Sequence, residues 1–248
     1  GYYQGTHLAN DVELLNHDFN RYYDVYGSEV DYLKMIELLA EFIQNLKEDY
    51  NYTTREFLYE IGKMLNKKGI KSIVATAAEN KVPIYCPAII DSPYGDASLI
   101  AKNKGFNLVI DSVKDFSEFM GIAEKIKDTA VIYIGGGVPK DFIQLLAVTS
   151  PLQYEGREVP GRKGGIHKVT KEGYYPHNYP IQITTDSPQW GGLSGCTFEE
   201  ATSWGKEDSK GGNVQCYCDA TIALPLVTQA LAERFKDKRK FTDFSWLF

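Results

Sequence analysis

Apolar residues recur at intervals of three and four through Tyr32, Met35, Ile36, Leu38, Leu39, Phe42, Ile43 and Leu46. That period predicts an amphipathic helix. A second helix is expected from Thr53, where Thr53 and Glu56 have capping-box spacing, through Phe57, Ile61 and Leu65 to Gly69 in the C-cap region. A short helical stretch follows around Ser72 to Asn80. Val82 to Cys86 then reads as a buried strand, Gly95 to Lys102 as a helix and Leu108 to Ile110 as a short strand. Ser112 to Lys127 carries Phe116, Phe119, Ile122, Ala123 and Ile126 on one stripe and reads as a helix. Ala130 to Ile134 is a strand running into Gly135-Gly136-Gly137, and Pro139 suits the first turn of a helix through Phe142, Leu145 and Leu146. Residues 150–179 read as one long irregular loop, a length usually tied to function or an interface. Ile181 to Thr184 and Val214 to Cys218 are strands. Thr197 and Glu200 have capping-box spacing and open a short helix toward Trp204, and Thr221 to Phe235 is the last helix, with Pro225 in its first turns. The first thirty residues, rich in tyrosine, follow no clear period, and no internal repeat is visible.

Strands alternating with helices predict an α/β fold with a mainly parallel sheet. Ligands of such sheets bind beyond the C-terminal ends of the strands. The rule selects Asp91 to Asp96, Gly135 to Gly137, Thr184 to Ser194, and Asp219-Ala220. The 248 residues suffice for one large domain, and we take 1–248 as a single unit. The composition, 43% hydrophobic and 24% charged, is ordinary globular. No run approaches the roughly 18 apolar residues that span a bilayer, and no secretory signal is visible. A net charge of −6 opposes nucleic-acid binding, which rests on phosphate neutralisation, and suits cationic ligands such as amines. The expected setting is the cytoplasm. Cys86, Cys196, Cys216 and Cys218 form no disulfide framework and are expected as buried thiols. Cys216 and Cys218 share a strand face, but no CxxC or nearby histidine completes a zinc set, so no metal is expected.

The glycine triplet lets backbone approach a phosphate at a helix N-terminus, although no full G-x-G-x-x-G follows; a plain tight turn accounts for it equally. Asp91 and Asp96 have the chemistry to hold ribose hydroxyls or an amine, and Ser92 and the acids also suit capping. Ser203-Trp204-Gly205-Lys206 is the most unusual string. Lys206 either complements a helix dipole, or is walled by Trp204 and desolvated toward a neutral, nucleophilic amine. His7, His17, His167 and His177 have no ligand spacing and read as surface or loop residues. No G-x-S-x-G elbow is present.

Three strings occur together in order and spacing: Ile134 to Lys140, Leu193 to Lys206, and Tyr217 to Thr221 with Leu224-Pro225-Leu226. With Pro87-Ala88 through Asp91 to Gly95-Asp96, they resemble the deoxyhypusine synthase family from about Asp11 to Phe235. The resemblance implies a Rossmann-like NAD-dependent aminobutyl transferase, usually a homotetramer with active sites between paired subunits. NAD oxidises spermidine to an imine, the aminobutyl group passes to the active-site lysine and then to a lysine of a translation factor, and NADH reduces the product. On that resemblance Lys206 is the reacting lysine and Trp204 the pocket wall. Asp96 and Glu200 hold the ammonium groups. Asp91, Gly135, Gly136, Gly137, Thr185, Ser194, Asp219 and Ala220 contact NAD.

Several positions depart from the family pattern. Asp141 stands at the substrate-site position of a histidine, Leu145 at that of an asparagine, Leu193 and Trp190 at those of acids, and Pro93 at that of a serine. Loss of the histidine removes a proton-handling group. These changes resemble the bacterial deoxyhypusine-synthase-like branch, where the acceptor need not be the translation factor. A free diamine, as in homospermidine synthesis, is an alternative acceptor, and a catalytically inactive regulatory paralogue is an alternative reading of the chain. The loop at 150–179 exceeds the family's usual connection. The resemblance also implies a segment ahead of Gly1 with further NAD-binding residues, supplied by a longer chain or by a complementary one.

Overall fold

The computed structural model describes residues 1–126, 128–154, 174–236 and 242–248. Chain order begins with β1 (Tyr2–Gln4), α1 (Asp11–Asn16), β2 (Phe19–Tyr22), β3 (Val25–Ser28), α2 (Glu29–Ile43), β4 (Asn51–Tyr52), α3 (Thr54–Lys67), α4 (Ile73–Glu79) and α5 (Pro93–Asn103). It continues with β5 (Val109–Ile110), α6 (Ser112–Gly121), β6 (Ala130–Ile134), α7 (Val138–Thr149), β7 (Tyr179–Thr184), α8 (Phe198–Ser203), β8 (Val214–Tyr217) and α9 (Ala220–Arg234). The strands form an antiparallel sheet β1-β3-β2, a parallel pair β4-β5, and a parallel sheet β6-β7-β8. The expected mixed α/β class with helices flanking a parallel sheet is therefore present.

The larger core joins Ile36, Leu39, Ala40 and Ile43 of α2 to Phe57, Leu58 and Ile61 of α3 and to Ala97 and Ala101 of α5. Alanines on α5 let α2 approach closely. α3 begins with the expected capping box. Thr53 Oγ1 accepts from the Glu56 amide at 3.0 Å, and the Glu56 carboxylate accepts from the Thr53 amide at 2.9 Å. Thr53→Ala is expected to cost about 1 kcal/mol, read from the shift in urea midpoint at unchanged slope. At the other end Gly69, at φ +70°, allows the Ile70 amide to bond the Leu65 carbonyl at 2.9 Å.

Two expectations are corrected. Residues 82–86 form no strand. Cys86 donates its amide to Thr54 Oγ1 at 2.9 Å and Tyr85 its hydroxyl to Glu118 at 2.9 Å, so side chains satisfy this extended segment. The first thirty residues, left unassigned from sequence, hold three strands. The predicted 112–127 helix stops at Gly121 and continues as a 3-10 turn, Ile122–Glu124; its end at Lys127 lies outside the described residues. Of the loop at 150–179, residues 155–173 lie outside them too, while Ser150–Tyr154 form a 3-10 turn.

In β6, Val131 and Tyr133 face inward onto Phe198 of α8, while Ile132 and Ile134 face out. The outer face continues through Ile181 and Val214, and α9 presents Ile222, Leu226 and Leu231 without burying any residue. Parallel sheets are normally covered on both faces. Here the described residues cover one.

Candidate active site

The parallel register aligns Ile134 with Ile183 and Thr184 with Tyr217, so β6, β7 and β8 end together. Three of the four predicted ligand segments leave this one edge: Gly135 to Gly137, Thr184 to Ser194, and Asp219-Ala220. Gly135 and Gly137 have φ of +69° and +73°, a region that favours glycine, and a Cβ on either would meet nothing within 4 Å. Gly136 is different. A Cβ there would lie 2.2 Å from Ser194 Cα and 2.5 Å from its amide nitrogen. The triplet thus turns tightly, leaves open space on two sides, and lets the 187–196 loop close on the third. α7 starts immediately after it, with amides free for an anion.

A buried lysine ties that loop in place. Lys140 Nζ donates to Gln182 Oε1 at 3.2 Å, to the Leu193 carbonyl at 2.9 Å and to the Cys196 carbonyl at 3.0 Å. Burial pushes the Lys140 ammonium down from its ordinary value. Gln182 in turn donates to the Gly135 and Ser194 carbonyls at 3.1 and 3.0 Å. Ser194 Oγ donates to Asp186, whose amide bonds Thr184 Oγ1 at 3.2 Å. Thr185 is exposed just beyond β7. Asp219 caps α9, accepting from the Thr221 amide at 2.8 Å and hydroxyl at 2.6 Å, bonds that hold its carboxyl below the usual range.

Lys206 follows α8 through Trp204 and Gly205, whose φ is +81°. The Lys206 amide bonds back to the Ala201 carbonyl at 3.1 Å. Its side chain is buried and forms an ion pair with Asp141 in the first turn of α7. Its Nζ also lies 4.7 Å from the centroid of the Trp204 ring. The burial expected from sequence is therefore accompanied by a carboxylate and a ring face, both of which attract a cation. The histidine-to-Asp141 departure acquires a physical role here, as Lys206's counter-ion. Asp141→Asn removes that charge. The yield of imine trapped at Lys206 is expected to fall about a hundredfold, because the group that takes up the lysine proton is lost, checked by reductive trapping of wild type and Asp141→Asn side by side.

The remaining acids are farther out. Glu200 is exposed at the start of α8; Thr197 Oγ1 accepts from its amide at 3.2 Å, one half of the expected capping box. Burial raises the Cys196 thiol, and Glu200 beside it adds to the rise. Asp96 is exposed on α5 and accepts from Tyr32 at 3.4 Å. Asp91 lines a groove of about 1050 Å³ with Cys86, Asp115, Phe142 and Leu145. That groove reaches α7 one residue from Asp141, and Leu145 and Phe142 make this wall apolar. Among the described residues neither Asp91 nor Asp96 forms a hydrogen bond or ion pair with Lys206. Trp190 is exposed in a 3-10 turn, and Pro93 is the first residue of α5 after the Ser92 cap.

Sequence reasoning passed over Lys140, Gln144, Gln182, Asp186 and Glu207. A usable signal existed for Gln182, a lone amide within an apolar parallel strand, and for Lys140 and Gln144, one helical turn apart on a largely apolar helix. His177, read as a surface or loop residue, is buried. Its ring nitrogens bond Thr129 Oγ1 at 2.7 Å and the Ile143 carbonyl at 3.2 Å, and burial lowers its pKa.

The glycine turn opens α7 at the C-terminal ends of the parallel strands, an arrangement suited to an anion, and the Lys206 side chain reaches the first turn of that helix at Asp141. The deoxyhypusine synthase family model matches residues 1–231, and the chain belongs to that family of transferases. "Probable deoxyhypusine synthase 2" of Methanosarcina mazei is 44% identical over 248 residues, 99% of this chain and 67% of that protein. The protein of the same name from Archaeoglobus fulgidus is 43% identical over 93% of this chain and 70% of its own length. A "Deoxyhypusine synthase-like protein" of Chlorobaculum parvum is 36% identical over 91% of this chain and 61% of its own. A crystal structure assigned as a candidate deoxyhypusine synthase from Entamoeba histolytica superposes with a TM-score of 0.54 at 18% identity, covering 85% of this chain and 57% of that one. The chain thus spans between about half and seven tenths of the length of these relatives, and the structural likeness supports the fold.

Proposed function

We propose that this chain carries the catalytic lysine of an NAD-dependent aminobutyl transferase that uses spermidine or a related polyamine. The observation that carries the reading is the buried Lys206, facing Trp204 and ion-paired to Asp141, which lies one helical turn from the glycine loop. The residues present suit a dinucleotide: Gly136 admits no Cβ, Gly135 and Gly137 leave space, and the first amides of α7 favour a phosphate. Gly135 to Gly137, Thr185, Ser194, Asp219, Ala220 and Asp91 would hold it. NAD, when bound, would supply the acceptor for the hydride that converts the polyamine's C–N bond to an imine.

Lys206 then acts on the imine carbon. Asp141 takes the ammonium proton, the freed amine adds to that carbon, and the diamine portion departs with a proton while Lys206 keeps the four-carbon unit as its own imine. Trp204 excludes water from that imine and offers its ring face to cationic nitrogen. Glu200 and Asp96 supply negative charge toward the amine's ammonium groups. The groove wall at Leu145 and Phe142 is apolar, and as acceptor a protein lysine or a free amine fits this chemistry.

The reading is tested by titrating NAD into the protein and then adding spermidine. Saturable binding followed by NADH fluorescence supports it. No NAD binding by the chain, alone or with a complementary chain, would overturn it.

A further inference from the structure

Glu207 follows Lys206 and is 2% exposed. Its Oε1 accepts from Tyr133 at 2.7 Å and from Gln144 Nε2 at 2.9 Å. Among the described residues its Oε2 is buried with no hydrogen-bond partner, and so is Oε1 of the same Gln144. Two buried acceptors without donors, on side chains already joined by one hydrogen bond, have a shared remedy. A carboxyl proton on Oε2 donated to the amide oxygen satisfies both and closes a planar acid–amide pair.

We infer that Glu207 is a neutral carboxylic acid paired with Gln144 through two hydrogen bonds, and that this pair positions Lys206. The positioning follows from adjacency. Lys206 and Glu207 grip α7 at Asp141 and Gln144, which are three residues, about one turn, apart on one face. The backbone on both sides is fixed as well, since the His177 amide bonds the Lys206 carbonyl at 2.9 Å and the Asp208 amide bonds the His177 carbonyl at 2.9 Å. The Glu207 rung thereby holds the register of the Lys206 rung.

The surrounding charges are compatible. From β6 Glu207 faces Tyr133; from α7 it faces Gln144 with Lys140 and Asp141 nearby; His177 pairs beside it, and Lys206 precedes it. Lys206 already has Asp141 as counter-ion, and Lys140 spends its three donors on neutral oxygens. His177 is held neutral by burial. Burial raises the Glu207 carboxyl, and the hydrogen bonds from Gln144 and Tyr133 and the two lysines only partly oppose that.

The role as a positioning residue rests on the reading of Lys206 as the reacting lysine, whereas the protonation state does not. Glu207→Gln keeps the same outline with an amide that donates to Gln144 Oε1, and Glu207→Leu leaves Tyr133 and Gln144 unpaired. A folded pKa raised above the unfolded value of about 4.3 gives stability that is complete below that value and lost as pH rises through the folded pKa. In that window wild type is expected to lose up to about tenfold in folding constant per pH unit relative to Glu207→Gln. The infrared difference, wild type minus Glu207→Gln at neutral pH, is expected to show a protonated carboxyl band. Trapping at Lys206 is expected to fall at least about tenfold in Glu207→Leu and to be rescued by Glu207→Gln with the wild-type pH profile. Parallel stability curves, a carboxylate band, or a shifted profile in Glu207→Gln would overturn the neutral acid, and undiminished trapping in folded Glu207→Leu would overturn positioning. If wild type itself shows no trapping while the band and the stability slope appear, the proposed function fails and the acid–amide pair stands.

Discussion

Lys206→Ala is expected to lower aminobutyl transfer by about three orders of magnitude or more, because the amine that takes the four-carbon unit is gone and no other group replaces it. Lys140, the residue before Asp141, is locked on three oxygens. Its ammonium cannot be redirected without stripping the Leu193 and Cys196 carbonyls of their donor. Loss of a buried ion pair partner leaves Asp141 uncompensated, yet Asp141 is itself 36% exposed, so water takes up much of that cost. The variant is therefore expected to fold and to bind NAD while failing to transfer. Measured turnover with spermidine, set beside an unchanged NAD isotherm, separates the chemical loss from unfolding. Wild-type turnover by Lys206→Ala would remove Lys206 from the reaction.

Gly136→Ala is the second large effect. The added methyl would sit 2.2 Å from Ser194 Cα, and the obstacle is backbone, which does not swing aside. Either the glycine turn or the 187–196 loop must move. The loop is tied by Lys140 and Gln182, so both sides are resisted. A destabilisation of about 3 kcal/mol is expected, in the upper range of overpacking. NAD affinity falls with it, since Gly135 to Gly137 and Ser194 form the same cradle. Gly135→Ala is the control: its φ of +69° strains an alanine, but no atom stands within 4 Å of the new Cβ. It should cost about 1 kcal/mol. Thermal melts and NAD isotherms on both variants check the contrast, and equal losses would show that the contact with Ser194 is not the cause.

Much of this site was legible in the sequence because its strings are local. The glycine triplet, the Trp204-Gly205-Lys206 end of α8 and the Asp219 cap each announce their geometry within a few residues. Strand ends at Ile134 and Thr184 were legible too, since β6 and β7 are largely apolar, while the last strand stops at Tyr217, one residue short of the expected Cys218. What was not legible lies in pairings across the chain. Gln144 with Glu207, and Lys140 with Leu193 and Cys196, are separated by more than fifty residues, and each alone reads as a solvated polar side chain. The three N-terminal strands escaped because hydrophobic period reports burial. β1 buries nothing, and in β2 and β3 only Gly27 is buried. Residues 82–86 failed in the opposite way. Val82, Ile84 and Cys86 alternate like a strand, but their neighbours are the side chains of α3 and α6.

The central claim is that Lys206 receives the four-carbon unit. The protein is incubated with NAD and spermidine, reduced with borohydride and digested, and the peptide carrying Lys206 is weighed by mass spectrometry. We expect an aminobutyl adduct on Lys206 that requires both NAD and spermidine and is absent from Lys206→Ala. An unmodified Lys206 under conditions that label an active member of the family would contradict the account.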